Sequence, residues 1–208
     1  GGALRAGEEA MATVAGMGAT RSTLLRSWKL RRGLRLELHL TPDVLSHPPG
    51  GAGCCDALVN PANEALVGTK LPYFPMPVEP PAGLRTTDWC AMEAGPNMFY
   101  SMQVVDGQAH AVGGRELLRA CQELPELSPG VRCRVGGAVV TRATGGLRRF
   151  FSRVVHTVPP MYGFEDWAAL LGGCYREALR AAWACGPEVR TVVAPLLGAG
   201  ARGAPPAE

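Results

Sequence analysis

Asn60 and Asn63 stand three residues apart at the end of a short apolar run, within D-A-L-V-N-P-A-N-E-A-L-V-G over residues 56–68. A carboxamide carries both donors and an acceptor, which suits a sugar or an amide better than a metal ion. Asp106 follows two valines and precedes Gly107, at the positive end of a predicted helix where a carboxylate is favoured. By itself it reads as a helix cap. Gly198-Ala199-Gly200-Ala201-Arg202-Gly203 follows another apolar run, and glycines after a strand let backbone N–H groups approach a diphosphate. Arg202 could pair with such a phosphate or lie flat on a sugar. Asp43, in T-P-D-V, is a residue type that caps helices. His156, inside V-V-H-T-V-P-P, reads as a hydrogen-bonded core histidine rather than a catalyst.

Strands and helices must carry these residues. Ala57-Leu58-Val59 is the kind of run that fills a fully buried parallel strand. Pro61 cannot donate to a sheet ladder, so the strand ends at Asn60. Open α/β sheets bind ligands at the carboxyl ends of such strands; the bland equivalent is a turn capped by two polar residues. Residues 154–158 and 189–197 read as further buried strands. Residues 27–30 and 34–40 read as two more, joined by a turn at Gly33, the second alternating as L-R-L-E-L-H-L. Helices are predicted over 106–124, weakened in the middle by Gly113-Gly114, and over 166–185, closed by Gly186-Pro187. Buried strands alternating with helices place the chain in the α/β class.

A length of 208 residues suits one domain, and 47% apolar residues can fill one core. The net charge of +3 is too small to argue for a nucleic-acid partner. No apolar run is long enough to span a bilayer. Seven cysteines without a C-x-x-C pair give neither a zinc pattern nor a disulfide framework, so reduced thiols in an intracellular, cytoplasmic or nuclear protein are expected. Residues 1–26 are read as a flexible N-terminal segment. Arginine and serine without acids over residues 11–35 resemble an organelle transit peptide, against an ordinary basic lead-in to a strand.

V-N-P-A-N at 59–63 closely resembles the V-N-A-A-N signature of macro domains. V-V-H-T-V-P-P at 154–160 is similar to their V-I-H-T-V-G-P strand, and P-L-L-G-A-G-A-R-G-A-P at 195–205 to their second phosphate loop. R-C-R-V-G-G-A-V-V at 132–140 resembles a further strand entry of the family. The resemblance implies one macro domain over residues 27–208, a three-layer α/β/α sandwich with a mixed, mainly parallel sheet. It implies binding of ADP-ribose and hydrolysis of mono-ADP-ribose from modified proteins, with O-acetyl-ADP-ribose deacetylation as a side reaction. A non-catalytic ADP-ribose reader and an ADP-ribose 1″-phosphatase are the alternatives.

By the same resemblance, Asp43 accepts from the adenine amine, Asn63 holds the distal ribose, and Val44 and Asn60 are further ligand-binding residues. Val105, Asp106 and Gly107 form the catalytic turn, in which Asp106 orients or activates water. Gly198, Ala199, Gly200, Ala201 and Arg202 hold the diphosphate. Asn63 and Asp106 are the catalytic pair. No metal or cofactor is implied, and a monomer is expected, with ADP-ribose or mono-ADP-ribosylated proteins as its partners. Three departures stand out. A Pro- and aromatic-rich stretch, about 69–105, replaces a glycine run and is expected as an ordered insertion over or beside the cleft. Arg202 replaces an aromatic, and the family's last helix and strand are expected to be missing.

Overall fold

The computed structural model describes residues 22–53, 55–69, 104–200 and 202–204. Ala201, most of the predicted insertion and residues 1–21 lie outside the described residues, as do the expectations attached to them. The chain opens with an antiparallel hairpin of β1 (Thr23–Lys29) and β2 (Arg35–Leu40). A short 3-10 turn over Arg31–Gly33 joins them. Thr23 pairs with Leu40, so β1 starts ahead of the predicted residue 27. This hairpin is a two-stranded sheet of its own.

The main sheet holds four strands: β3 (Ala57–Pro61), β4 (Ala138–Arg142), β5 (Arg153–Thr157) and β6 (Val192–Val193), in the order β4-β5-β3-β6. β5 and β6 run parallel to β3, while β4 is antiparallel to β5. The sheet is therefore mixed, and its parallel centre is buried on both faces, as its continuous apolar runs require. β6 corrects the expected strand over 189–197. Only Val192 and Val193 pair, with Ala57 and Leu58. Just before them the Asp56 carboxylate accepts the N–H groups of Arg190 at 2.8 Å and Thr191 at 2.7 Å, so a side chain takes over where a ladder would have continued.

Two helices complete the layers. α1 runs Val105–Gln122 and α2 runs Trp167–Ala184. The two-residue period of a strand sends alternate side chains to opposite faces, and each face meets one helix. On one side Leu58, Val154 and Val158 pack with Ala109, Leu117 and Cys121 of α1. On the other, Ala57, Val59 and Val155 pack with Cys174, Ala178 and Ala182 of α2. The result is the expected α/β/α sandwich.

α1 carries one correction and bears out one expectation. It begins at Val105 with Val104 in the N-cap position, so Asp106 lies inside the first turn and does not cap the helix. Gly114 breaks it with φ 69° and ψ −166°, a conformation that glycine alone adopts readily. Thr144 donates to the Gly113 carbonyl at 2.8 Å across this break. The described cysteines, Cys55, Cys121, Cys133, Cys174 and Cys185, form no disulfide with one another. Among the described residues no helix is long and apolar enough to cross a membrane.

Candidate functional site

The site is built on the α1 side of the sheet, at the carboxyl end of β3. Asn60 and His156 are register partners on the parallel pair β3 and β5, so their side chains leave the same face side by side. Both are fully buried. The facing first turn of α1 presents Asp106, and one turn on, at the i,i+4 spacing that aligns side chains, His110. Sequence, register and helical period together converge four polar groups inside an otherwise apolar core.

Their contacts form a chain. Asn60 Nδ2 donates to Asp106 Oδ1 at 2.7 Å and lies 3.3 Å from His156 Nδ1. Asp106 Oδ2 accepts from the Thr69 hydroxyl at 2.9 Å. His156 Nε2 lies 2.9 Å from Thr141 Oγ1 and 3.6 Å from Cys121 Sγ. His110 Nε2 is 3.8 Å from Asp106 Oδ1. Burial, reinforced by the neighbouring His110, pushes the His156 imidazole down to about 3, so this ring is neutral at physiological pH. Burial also pushes the Cys121 thiol up to about 12. These are not the settings of a nucleophile or a proton shuttle, and His156 is the core histidine expected.

Asn63 follows in the turn after β3. Its Oδ1 accepts the Val67 N–H at 3.2 Å and its backbone carbonyl accepts the Leu66 N–H at 3.1 Å. That closure holds Leu66 at φ 57° although it is fully buried. A left-handed leucine is strained, and such strain gathers at functional sites. Two amide atoms remain buried without a hydrogen-bond partner, Asn60 Oδ1 and Asn63 Nδ2. One is an acceptor and the other a donor. Leaving buried polar groups unmade costs stability, and hydroxyls or amides are the groups whose chemistry would complement an acceptor and a donor of this kind.

The glycine loop closes over the same turn. Arg202 Nη2 donates to the Ala62 carbonyl at 3.3 Å, while Tyr162 N–H donates to the Arg202 carbonyl at 2.8 Å. Ala62 N–H also donates to the Thr157 carbonyl at 2.8 Å, so the three sequence motifs meet through Ala62, Thr157 and Arg202. Gly198 adopts φ 83°, and Ala204 N–H returns to the Gly198 carbonyl at 3.0 Å. Tyr175 of α2 anchors the loop's entry by accepting the Leu197 N–H at 2.8 Å. Val105 is half-buried and Gly107 buried at the start of α1, where the first N–H groups have no acceptor within the helix.

Asp43 and Val44 sit elsewhere on this core. Val44 and Leu45 pack in the α1-side cluster. The Asp43 carboxylate accepts the Leu45 N–H at 2.9 Å and the Ser46 hydroxyl, closing the turn after β2. It caps a turn, with no contact to Asn63 or Asp106 among those described. His110, Cys121 and His156 are the described residues that could hold a metal ion, their ligand atoms lying within 4.8 Å of one another. His156 Nε2 already faces Thr141, and all three are buried.

Of the groups that sequence reasoning missed, His110 was accessible from its spacing to Asp106. Asp56 as the anchor of β6, Thr69 and Thr141 had no signal. Their partners lie 135, 37 and 15 residues away.

Residues 93–208, more than half of the chain, match the family model described as the macro domain. This chain belongs to the macro domain family. The matched region begins downstream of β3, and V-N-P-A-N is tied to it by the β3–β5 and β3–β6 pairing and by the Asn60–Asp106 hydrogen bond. A macro domain-containing protein of Ralstonia nicotianae is 34% identical over 154 residues, which cover 73% of this chain and 64% of that protein. One from Streptomyces griseus is 40% identical over 102 residues, 49% of this chain and 55% of that one. The macro domain described here thus spans 64% and 55% of the length of these two relatives. Among solved structures, the Oceanobacillus iheyensis macrodomain with ADP superposes with a TM-score of 0.58 at 23% identity, covering 89% of this chain and 75% of that one. A point mutant of that macrodomain was solved with ADPR, and it superposes with a TM-score of 0.57 at 22% identity, covering 88% of this chain and 74% of that one. The likeness establishes the shared fold.

Proposed function

We propose that this macro domain binds ADP-ribose and hydrolyses it from mono-ADP-ribosylated proteins. The observation that carries the reading is the buried Asn60–Asp106 pair at 2.7 Å, set beside the partnerless Asn63 amide. In this reading Asn63 Nδ2 donates to a distal-ribose hydroxyl and Asn60 Oδ1 accepts from one. The diphosphate lies along the backbone of residues 198–202 and near the N–H groups of Val105 and Gly107 at the positive end of α1. Arg202 stands at the edge of that loop. Asp43 retains lone pairs beyond its two turn contacts, enough to accept from the adenine amine. Macrodomain structures with ADP and with ADPR, from Oceanobacillus iheyensis, support this class of ligand.

Hydrolysis then asks Asp106 to orient a water at the ribose C1″ and take its proton as the bond to the protein side chain breaks. No metal takes part, and the domain acts as a monomer. One observation favours the second reading, a reader without turnover. Both Asp106 oxygens already accept a hydrogen bond, from Asn60 and Thr69, which leaves fewer lone pairs for water. Calorimetric titration with ADP-ribose, followed by a release assay on mono-ADP-ribosylated protein, separates the outcomes. Binding with release supports the hydrolase, binding without release makes it a reader, and no binding overturns both.

A further inference from the structure

We infer that His156 is a positioning residue that, backed by Thr141, holds the Asn60 amide in the one orientation able to serve both Asp106 and a ligand. A carboxylate oxygen only accepts, so the Asn60 nitrogen must face Asp106, and it does at 2.7 Å. The second hydrogen of the same NH2 group faces His156 Nδ1 at 3.3 Å. That contact is attractive only if Nδ1 carries no proton. A neutral imidazole has a single N–H, which must then sit on Nε2 and point at Thr141 Oγ1, 2.9 Å away. Thr141 reaches it because the β4–β5 register places Thr141 opposite Val154, two residues along the same face from His156.

The other tautomer would set N–H against N–H and favour the flipped Asn60, which would turn its carbonyl toward the Asp106 carboxylate. The burial that keeps His156 neutral removes imidazolium as a third possibility. With Nδ2 fully committed, Oδ1 is the atom of Asn60 left without a partner. Asp106 sets the amide's direction, and His156 backed by Thr141 holds it there, so Asn60 offers an acceptor, selecting a donor such as a sugar hydroxyl. Neither residue touches the ligand in this account. The choice of a sugar hydroxyl rests on the ADP-ribose reading; the tautomer and the amide orientation do not.

The test compares wild type with His156→Asn, His156→Gln and Thr141→Val. An asparagine oxygen reaches the place of Nδ1 and keeps an acceptor for Asn60, whereas a glutamine reaches only the place of Nε2. Nitrogen-detected NMR of wild type should show a single neutral Nε2–H tautomer, unchanged between about pH 5 and 8. The Asn60 side-chain NH2 should be protected from exchange in wild type and His156→Asn, and exposed in His156→Gln. ADP-ribose affinity should fall by about tenfold in His156→Gln and stay within about threefold in His156→Asn, the scale of one hydrogen bond lost or kept. Thr141→Val should populate the second tautomer. A proton on Nδ1 in wild type overturns the inference, as does equal Asn60 protection in the two His156 variants. Those NMR readings stand even if wild type fails to bind ADP-ribose, an outcome that would refute the ligand reading alone.

Discussion

Asn60 and Asp106, 46 residues apart in the chain, meet at 2.7 Å with both side chains buried. The contact joins the carboxyl end of β3 to the first turn of α1 and gives each group its orientation.

The first prediction changes only the chemistry of that contact. Asp106→Asn can keep an oxygen toward Asn60 and an NH2 toward the Thr69 hydroxyl, so the fold should survive with a thermal midpoint near wild type. If Asp106 activates water, release of ADP-ribose should drop by about 10²–10⁴-fold, the range of a general-base contribution. Binding should change far less, because the carboxylate serves the transition state more than the ground state. Single-turnover assays beside calorimetry read both. Full activity in the variant would remove Asp106 from the chemistry.

Asn63→Ala should behave differently. It deletes the partnerless Nδ2 and also the acceptor of the Val67 N–H. Affinity and release should fall together, since the same hydroxyl contact exists in both states. A loss of release with unchanged affinity would contradict the sugar-holding role.

Asp43→Ala separates a structural role from a binding one. Losing the Leu45 N–H acceptor should cost about 0.5–2 kcal/mol of stability, the usual cost of a lost cap, read by denaturant titration. An adenine contact would add about 1.5–3 kcal/mol to ADP-ribose binding. That second loss should vanish when ribose 5-phosphate replaces ADP-ribose as the titrant. Unchanged ADP-ribose affinity would leave Asp43 as a turn cap only.

A fourth prediction concerns acid stability. Burial lowers His156 from 6.5 to about 3, so between those values the unfolded chain binds a proton that the folded chain refuses. Stability is then unaffected above about pH 6.5 and falls as pH drops below it, by at most about 1.4 kcal/mol per pH unit. Between pH 7 and 5 the loss from this group should be about 2 kcal/mol. Urea titrations of wild type and His156→Asn at both pH values measure it. An equal pH dependence in the two proteins would show that His156 already titrates normally.

The α/β class, β3, β5 and both long helices were legible in the chain because their signals are local. Ala57-Leu58-Val59 and Val154-Val155 are apolar on every residue, as strands buried on both faces must be. Gly186 marks a helix end with backbone chemistry of its own, whereas β3 runs one residue past the predicted Asn60, to Pro61 opposite Thr157, because a proline in the last position of a strand withholds only its own donor. Asn63, Asp106 and Arg202 were recognisable as site candidates from motif order alone. Tertiary structure decided the rest. It shortened β6 to two residues, because Asp56 satisfies the Arg190 and Thr191 amides from the neighbouring strand's entry. It turned Asp106 from a cap into a buried hydrogen-bond acceptor by starting α1 one residue earlier. It recruited Thr69 and Thr141, whose hydroxyls carry no sequence signal until a partner arrives. A hydrogen bond needs two groups at one place in space, and only the packed sheet and helix bring residues so distant in sequence within about 3 Å of each other.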